Sequence, residues 1–97
     1  MRITILALGM VLAAGPAVAE GAADPAIIGA TCSGCHGPDG VGSGAIPPLA
    51  GLPAATIEEA LKAFKAGSRS ATVMTRLAKG YSDEEIRALA AYFAAIK

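Results

Sequence analysis

Apolar residues recur every three or four residues in two stretches, 56–67 and 82–97, which is the spacing of one face of an α-helix. The first stretch predicts a helix from Thr56 to the glycine at 67, whose apolar face consists of Ile57, Ala60, Leu61 and Phe64. Its polar positions are expected to face water, namely Glu58, Lys62 and Lys65. The second stretch, from Ser82, predicts the longest helix of the chain, with a buried stripe of Ile86, Leu89, Ala90, Phe93 and Ile96 and with Tyr92 beside it.

Local signals predict where these two helices begin and end. Thr56 with Glu59, and Ser82 with Glu85, have the spacing of a capping box. In that motif the hydroxyl accepts a hydrogen bond from the backbone three residues on, and the carboxylate reaches back. Gly67 is expected to end the first helix, because glycine readily adopts the left-handed conformation found there.

The chain before these helices predicts one more helix and a long irregular segment. Asp24-Pro25 has the pattern of an N-cap followed by proline at the first helical position, which predicts a short helix from Ala26 to about Thr31 that packs across the last helix. Glycine and proline are frequent over residues 37–51, so this segment is expected to be a loop. Since no stretch alternates as a strand does, the predicted fold class is all-α, with three to four short helices.

The first nineteen residues have the pattern of a secretory signal. Arg2 supplies a positive start, residues 3–14 form an apolar run, and Ala17-Val18-Ala19 has the small residues that signal peptidase requires. The run is shorter than the roughly 20 apolar residues that span a bilayer. We therefore predict a cleaved signal over residues 1–19 and one domain over residues 20–97; the alternatives are an uncleaved anchor or a buried helix.

Charge and composition limit the possible partners of that domain. The chain has 97 residues with eight basic and eight acidic side chains, and residues 20–97 have a formal charge of −1. This balance gives no electrostatic basis for binding nucleic acid or anionic lipid, so neither partner is expected, nor stable membrane insertion after signal cleavage. The domain has no Trp, two Phe and two Tyr, so its core is small. Domains of this size usually need a further stabilising element, such as a disulfide or a bound metal or cofactor.

The motif Cys32-Ser33-Gly34-Cys35-His36 carries the chemistry of the chain. Its spacing is that of c-type haem attachment, in which two thiols bond the haem vinyl groups and the histidine binds the iron. A thioredoxin-type dithiol needs a βαβ setting, and a structural zinc site needs about four Cys or His ligands. After residue 19 the chain contains only these three candidates. The motif predicts one covalently bound haem c, attached through Cys32 and Cys35 with His36 on the iron.

The prolines that follow indicate how His36 is oriented. A metal-bound imidazole usually donates its second N–H to a carbonyl or a carboxylate. The stiff Pro47-Pro48 segment can supply that carbonyl, with Pro47 favoured and Pro48 as the alternative. A proline pair that only stiffens the loop accounts for the same residues.

Met74 is the only methionine after residue 19. It lies in residues 68–75, which have no helical period and are predicted to form a loop, and one predicted helix separates it from His36. The thioether of methionine is a common second axial ligand in cytochromes c. Met74 is therefore predicted to bind the iron opposite His36. The alternatives are a methionine that fills a gap in the core, with Lys79 or no side chain in the sixth position.

The region around Met74 is locally basic. Arg69, Arg76 and Lys79 lie within eleven residues of one another, although the chain as a whole is balanced in charge. Ordinary solvated side chains account for such a cluster. The alternative hypothesis is a surface that docks a partner.

Taken in order, the signal, short helix, haem motif, loop, helix, methionine segment and final helix resemble a class I cytochrome c. Three segments are most similar to the first haem domain of the cytochrome subunit of flavocytochrome c sulfide dehydrogenase: Phe64–Gly67, Val73–Ser82 and Ala91–Phe93. The resemblance implies the class I fold, attachment through Cys32 and Cys35, axial ligation by His36 and Met74, and an FAD flavoprotein partner. Many such subunits have two haem domains, whereas this chain has one haem motif.

The predicted site describes an electron carrier without catalytic residues of its own, because two protein ligands leave no open position on the iron. The leading hypothesis is the haem subunit of a sulfide-oxidising flavoprotein, hence part of a sulfide–cytochrome-c reductase that passes electrons to other acceptor proteins. Bacterial haem attachment occurs outside the inner membrane, so the expected location is the periplasm. A free-standing diffusible carrier of a respiratory or photosynthetic chain is the second hypothesis. An enzyme or gas sensor with an open iron is the third.

Overall fold

Four α-helices form the part of the chain that the computed structural model describes, residues 9–11 and 23–97. They are α1 (Pro25–His36), α2 (Ala54–Ala66), α3 (Met74–Leu77) and α4 (Asp83–Ala94). Two 3-10 turns, Pro38–Gly40 and Ala78–Gly80, lie after α1 and α3. Over these residues there is no strand, only an isolated antiparallel bridge between Ser43 and Ile46. The predicted all-α class is confirmed.

Helix α1 begins as predicted but is twice as long as the sequence suggested. The Asp24 carboxylate accepts a hydrogen bond of 2.9 Å from the backbone N–H of Ala26, which caps the helix. The predicted end near Thr31 is wrong, because the haem motif contains no proline and its single Gly34 is tolerated within a helix. The helix ends only at Gly37, where φ is +86° and ψ is 165°, a conformation that favours glycine.

Helix α2 begins earlier than predicted, and the capping box assigned to Thr56 is wrong. The N-cap is Pro53, whose carbonyl accepts bonds from the backbone N–H groups of Thr56 (3.0 Å) and Ile57 (3.3 Å). Thr56 therefore lies inside the first turn, and no side chain caps this helix. The proline fixes the entry of the chain by its restricted φ, which replaces the side-chain cap. Gly67 ends the helix in the left-handed region (φ 76°, ψ 11°), as predicted.

Helix α4 has the capping box that the sequence predicted. The hydroxyl of Ser82 accepts from the backbone of Glu85 at 3.1 Å, and the Glu85 carboxylate accepts from the backbone of Ser82 at 3.0 Å. The expectation that this helix is the longest is wrong, since α4 has 12 residues and α2 has 13. Ile96 lies beyond its end in a final turn, where its backbone N–H donates to the carbonyl of Phe93.

The core lies where α4 packs between α1 and α2. Among the described residues, six apolar side chains are buried: Ile57, Ala78, Ile86, Leu89, Ala90 and Phe93. The predicted crossing of α1 and α4 brings the ring of Tyr92 against Gly29, where an added Cβ would lie 3.0 Å from the ring. A glycine thus sets the close approach of these two helices.

The predicted signal falls mostly outside the described residues, at positions 1–8 and 12–19, as does the predicted domain boundary at residue 20. Within the described ranges, none of the helices has both the length and the apolar character that crossing a bilayer requires.

Candidate cofactor site

A cavity of about 690 Å³ opens between the helices. This volume lies within the range of about 300–1,000 Å³ that is typical of ligand and cofactor pockets. Its walls are mostly apolar and come from α1, the loop that follows it, α2, the segment around α3, and α4. The lining includes the α2 stripe predicted from the sequence, namely Ile57, Ala60, Leu61 and Phe64, together with Leu89 and Phe93 of α4.

The last turns of α1 bring the three residues of the haem motif to one wall of this cavity. Cys32, Cys35 and His36 all line it. Because the helix continues through the motif, Cys32 and Cys35 stand three residues apart on the same side, and both are free thiols. Burial raises the pKa of the Cys32 thiol above its usual value.

The imidazole of His36 is buried and held by one hydrogen bond. Its Nδ1 lies 2.6 Å from the carbonyl oxygen of Pro47. A carbonyl oxygen can only accept, so Nδ1 carries a proton, and in the neutral imidazole the lone pair is then on Nε2. The bond involves Pro47 and not Pro48. It fixes both the tautomer and the ring plane, and it leaves Nε2 as the nitrogen that can bind a metal.

Met74 lines the same cavity from the other part of the chain. It is not in a loop as predicted, because it is the first residue of α3. The carbonyl of Val73 accepts from the backbone N–H groups of Arg76 (2.9 Å) and Leu77 (3.2 Å), and these bonds form the short helix. Lys79, the alternative ligand, is exposed and does not line the cavity.

Two further contacts at the cavity were not predicted. The hydroxyl of Thr31 lies 3.1 Å from that of Tyr81, 50 residues along the chain. Since the Thr31 hydroxyl already donates to the carbonyl of Ile28 at 2.6 Å, Tyr81 is the donor to Thr31. The guanidinium of Arg69 stacks on the ring of Phe64, 4.9 Å from its centroid, which is a cation–π contact. The sequence gives no signal for either contact, because neither separation along the chain matches the period of a helix or a strand.

The donor set in the cavity fits a c-type haem. Two thiols on one helical face are the groups that form thioethers, while an imidazole with a free Nε2 and a thioether sulfur are the two usual axial ligands of cytochromes c. The mostly apolar lining suits a large, flat macrocycle. Over the described residues, no group of three or more His, Cys, Asp or Glu side chains is placed to hold a metal ion by itself.

Comparison with known proteins gives the same class. Residues 16–93 match the family model described as cytochrome C oxidase, cbb3-type, subunit III. Over 67 residues the chain is 52% identical to the cytochrome subunit of sulfide dehydrogenase from Chlorobaculum tepidum, covering 69% of this chain and 61% of that subunit. It is 36% identical to cytochrome c-553 of Helicobacter pylori, over the full length of both chains.

A solved structure shows that the likeness extends to the fold. Cytochrome c4 of Acidithiobacillus ferrooxidans matches with a TM-score of 0.65 and 37% identity, covering 67% of this chain and 38% of that chain. The chain thus spans about three fifths of the Chlorobaculum subunit and a smaller share of cytochrome c4. The chain therefore belongs to the class I cytochrome c family, and it is an electron-transfer protein with one covalently bound haem c.

Proposed function

We propose that Cys32 and Cys35 attach the haem and that His36 and Met74 bind its iron from opposite sides. The observation that carries this proposal is that all four side chains line one cavity, although Met74 and the motif come from different parts of the chain. The hydrogen bond between His36 and Pro47 supports it further, because it leaves Nε2 free to bind.

The residues of this chain hold the haem and tune its reduction potential, and they perform no chemistry on a substrate. The bound haem supplies a one-electron couple between ferric and ferrous iron. Pro47 orients the imidazole and increases its basicity through the Nδ1–H bond. A thioether ligand from Met74 raises the reduction potential, and the apolar walls from α2 and α4 exclude water from the site. No residue is assigned a catalytic role.

We propose that the protein works in the periplasm as the haem subunit of a sulfide-oxidising flavoprotein. The similarity to a cytochrome subunit of sulfide dehydrogenase supports this assignment. The secretory pattern of residues 1–19 supports the location. In this role the reduced FAD subunit gives up one electron at a time, and each electron then leaves for another acceptor protein.

A free-standing diffusible carrier is the second candidate. The similarity to cytochrome c-553 of Helicobacter pylori favours it, since that relative is not named as a subunit of a dehydrogenase. The two candidates share the same haem site and differ only in whether a flavoprotein stays bound.

Replacing Met74 by Ala tests the ligand assignment. The oxidised wild-type protein is expected to show the weak far-red absorption band that arises from methionine sulfur bound to ferric iron, and the variant is expected to lose it. Leu77→Ala is the matched control, because Leu77 also lines the cavity but has no metal-binding atom. A wild-type protein without this band would refute the ligation and favour Lys79 or an open iron, and a band that persists in the Met74 variant would show that it does not arise from Met74.

Purification from the native host tests the partner. The tagged, haem-loaded protein is isolated from the periplasmic fraction, and the product is scanned for flavin absorbance. A stoichiometric flavoprotein supports the sulfide dehydrogenase subunit. A lone haem protein supports the diffusible carrier, and recovery from the cytoplasm would contradict the proposed location.

A further inference from the structure

Few hydrogen bonds connect the segment that carries Met74 to the rest of the described chain. Helix α3 has four residues, no side chain caps its N-terminus, and it packs against α2. The backbone bonds of residues 73–81, such as that from the Tyr81 N–H to the carbonyl of Ala78 (3.3 Å), join residues of the same segment. Between residues 70–81 and the other described residues, the one hydrogen bond is made by the Tyr81 hydroxyl.

This bond links the two parts of the chain that supply the proposed axial ligands. The hydroxyl of Tyr81 donates to that of Thr31 across 3.1 Å. Thr31 lies in α1, the helix that ends in His36. Tyr81 directly follows the 3-10 turn that continues α3, the helix that begins with Met74. The bond therefore spans from the side of His36 to the side of Met74.

Packing holds both ends of this bond in place. The ring of Tyr81 is half-buried and packs against the core cluster, which consists of Ile57, Leu89, Ala90 and Phe93. Thr31 lies on the helix that crosses α4, and both residues line the cofactor cavity. Because the two hydroxyls are carried by ordered parts of the fold, little side-chain entropy is lost when they meet. The bond can therefore oppose separation of the two segments.

We propose that Tyr81 and Thr31 form a hydroxyl latch that holds Met74 on the haem iron. The proposal rests on the proposed function, because it requires Met74 to be an axial ligand. Met74 leaves the iron when residues 70–81 move away from α1, and this movement breaks the latch. Segments held by few contacts open more often than the whole protein unfolds. Tyr81 is thus a positioning residue, which acts on the iron only through the chain that carries Met74.

Cyanide binding to the ferric holoprotein measures this opening. Cyanide takes the sixth position of the iron only when Met74 has left it, so its apparent affinity is proportional to the open fraction. An equilibrium titration at neutral pH follows the loss of the far-red band. Tyr81→Phe removes the donor of the latch and keeps the ring, and it is expected to raise the apparent cyanide affinity about fivefold.

Tyr92→Phe is the matched control. It removes the same hydroxyl from another half-buried tyrosine, which packs against Gly29 and does not line the cavity. Its apparent cyanide affinity is expected to stay within about twofold of the wild-type value. Equal rises in Tyr81→Phe and Tyr92→Phe would overturn the latch, because loss of any tyrosine hydroxyl would then loosen the protein.

Variants of Thr31 separate the latch from a direct contact between Tyr81 and the haem. Thr31→Val removes the acceptor and keeps the shape, and it is expected to raise the cyanide affinity as much as Tyr81→Phe does. The double variant is expected to add nothing more, since either change breaks the same bond. Thr31→Ser retains a hydroxyl and is expected to behave as the wild type. A rise in Tyr81→Phe alone would overturn the latch and assign the tyrosine hydroxyl to the haem itself.

The far-red band distinguishes failure of the latch from failure of the proposed function. A wild-type protein without the band refutes ligation by Met74. If the wild type has the band and the variants Tyr81→Phe and Thr31→Val bind cyanide as it does, only the latch is overturned. A lower free energy of unfolding in these variants without a change in cyanide affinity also overturns it, because the bond would then stabilise the fold and not the ligand.

Discussion

His36 shows how one backbone carbonyl sets the chemistry of a side chain. The spacing of the motif marks it as the haem histidine. A metal-bound imidazole also needs an acceptor for its second N–H, and the prolines that follow the motif can supply one through a carbonyl. The structure adds the tautomer, because the 2.6 Å contact with the Pro47 carbonyl requires the proton on Nδ1. The loop that contains Pro47 has backbone hydrogen bonds of its own, such as that from the Gly42 N–H to the carbonyl of His36.

Gly40 is one of the residues in this loop that have no room for a side chain. Its φ is +71°, and its carbonyl accepts from the backbone of both Leu49 (2.7 Å) and Ala50 (2.9 Å). An added Cβ would lie 2.8 Å from the ring of Phe93 and 3.2 Å from Cβ of Leu49.

Replacing Gly40 by Ala is therefore expected to destabilise the protein by about 2–5 kcal/mol, the sum of a left-handed backbone penalty and overpacking of the core. Chemical denaturation of the holoprotein measures this change in the free energy of unfolding. Gly80→Ala serves as the control, since a Cβ there meets nothing within 4 Å and φ is not positive. A Gly40 variant as stable as the control would show that the loop and Phe93 can move apart.

The two N-terminal signals of α2 and α4 look alike in sequence and behave differently in the structure. Ser82 caps α4, while Thr56 lies within the first turn of α2 behind Pro53. The capping-box pattern depends only on residue types three apart, so it is also found where a preceding proline has already started the helix.

This difference predicts unequal effects of removing the two hydroxyls. Ser82→Ala is expected to lower the free energy of unfolding by about 1 kcal/mol. The backbone N–H of Glu85 loses the hydroxyl that accepts its hydrogen bond, and the reciprocal bond from the Ser82 N–H to the Glu85 carboxylate loses its support. Thr56→Ala is expected to change it by less than about 0.5 kcal/mol, as for other exposed positions. Denaturation of both holoprotein variants provides the comparison. Equal losses would indicate that Thr56 caps α2 in solution.

At the scale of the whole molecule, the cofactor cavity is large relative to the core around it. Only six apolar side chains among the described residues are buried, and the cavity of about 690 Å³ separates the α2 stripe from the haem motif. Small domains rarely gain enough from side-chain burial alone to fold stably. We infer that the haem completes the core, with its apolar surface packed against these walls.

Preventing haem attachment is therefore expected to unfold the protein as well as to abolish its haem absorption. The double variant Cys32→Ser with Cys35→Ser is expected to lose cooperative thermal unfolding and much of its helical circular dichroism, because no covalent bond retains the haem. Met74→Ala, which keeps both thiols, is the control and is expected to stay helical. A cooperative transition in the haem-free double variant close to that of the holoprotein would contradict the inference.

The sequence alone determined the chemistry and the fold class. Residue type and spacing predicted the haem motif, the roles of His36 and Met74, and the amphipathic faces of α2 and α4, because these patterns depend on near neighbours along the chain. The resemblance to class I cytochromes c gave the architecture, which the comparisons confirmed.

Only the tertiary structure decided how far α1 extends, where α2 begins, and which carbonyl holds His36. It also revealed the bond between Thr31 and Tyr81 and the stacking of Arg69 on Phe64. These features depend on residues brought together by packing, across separations that carry no local signal. The ion pairs belong to the same group, since the net charge of a chain does not tell which of its side chains pair.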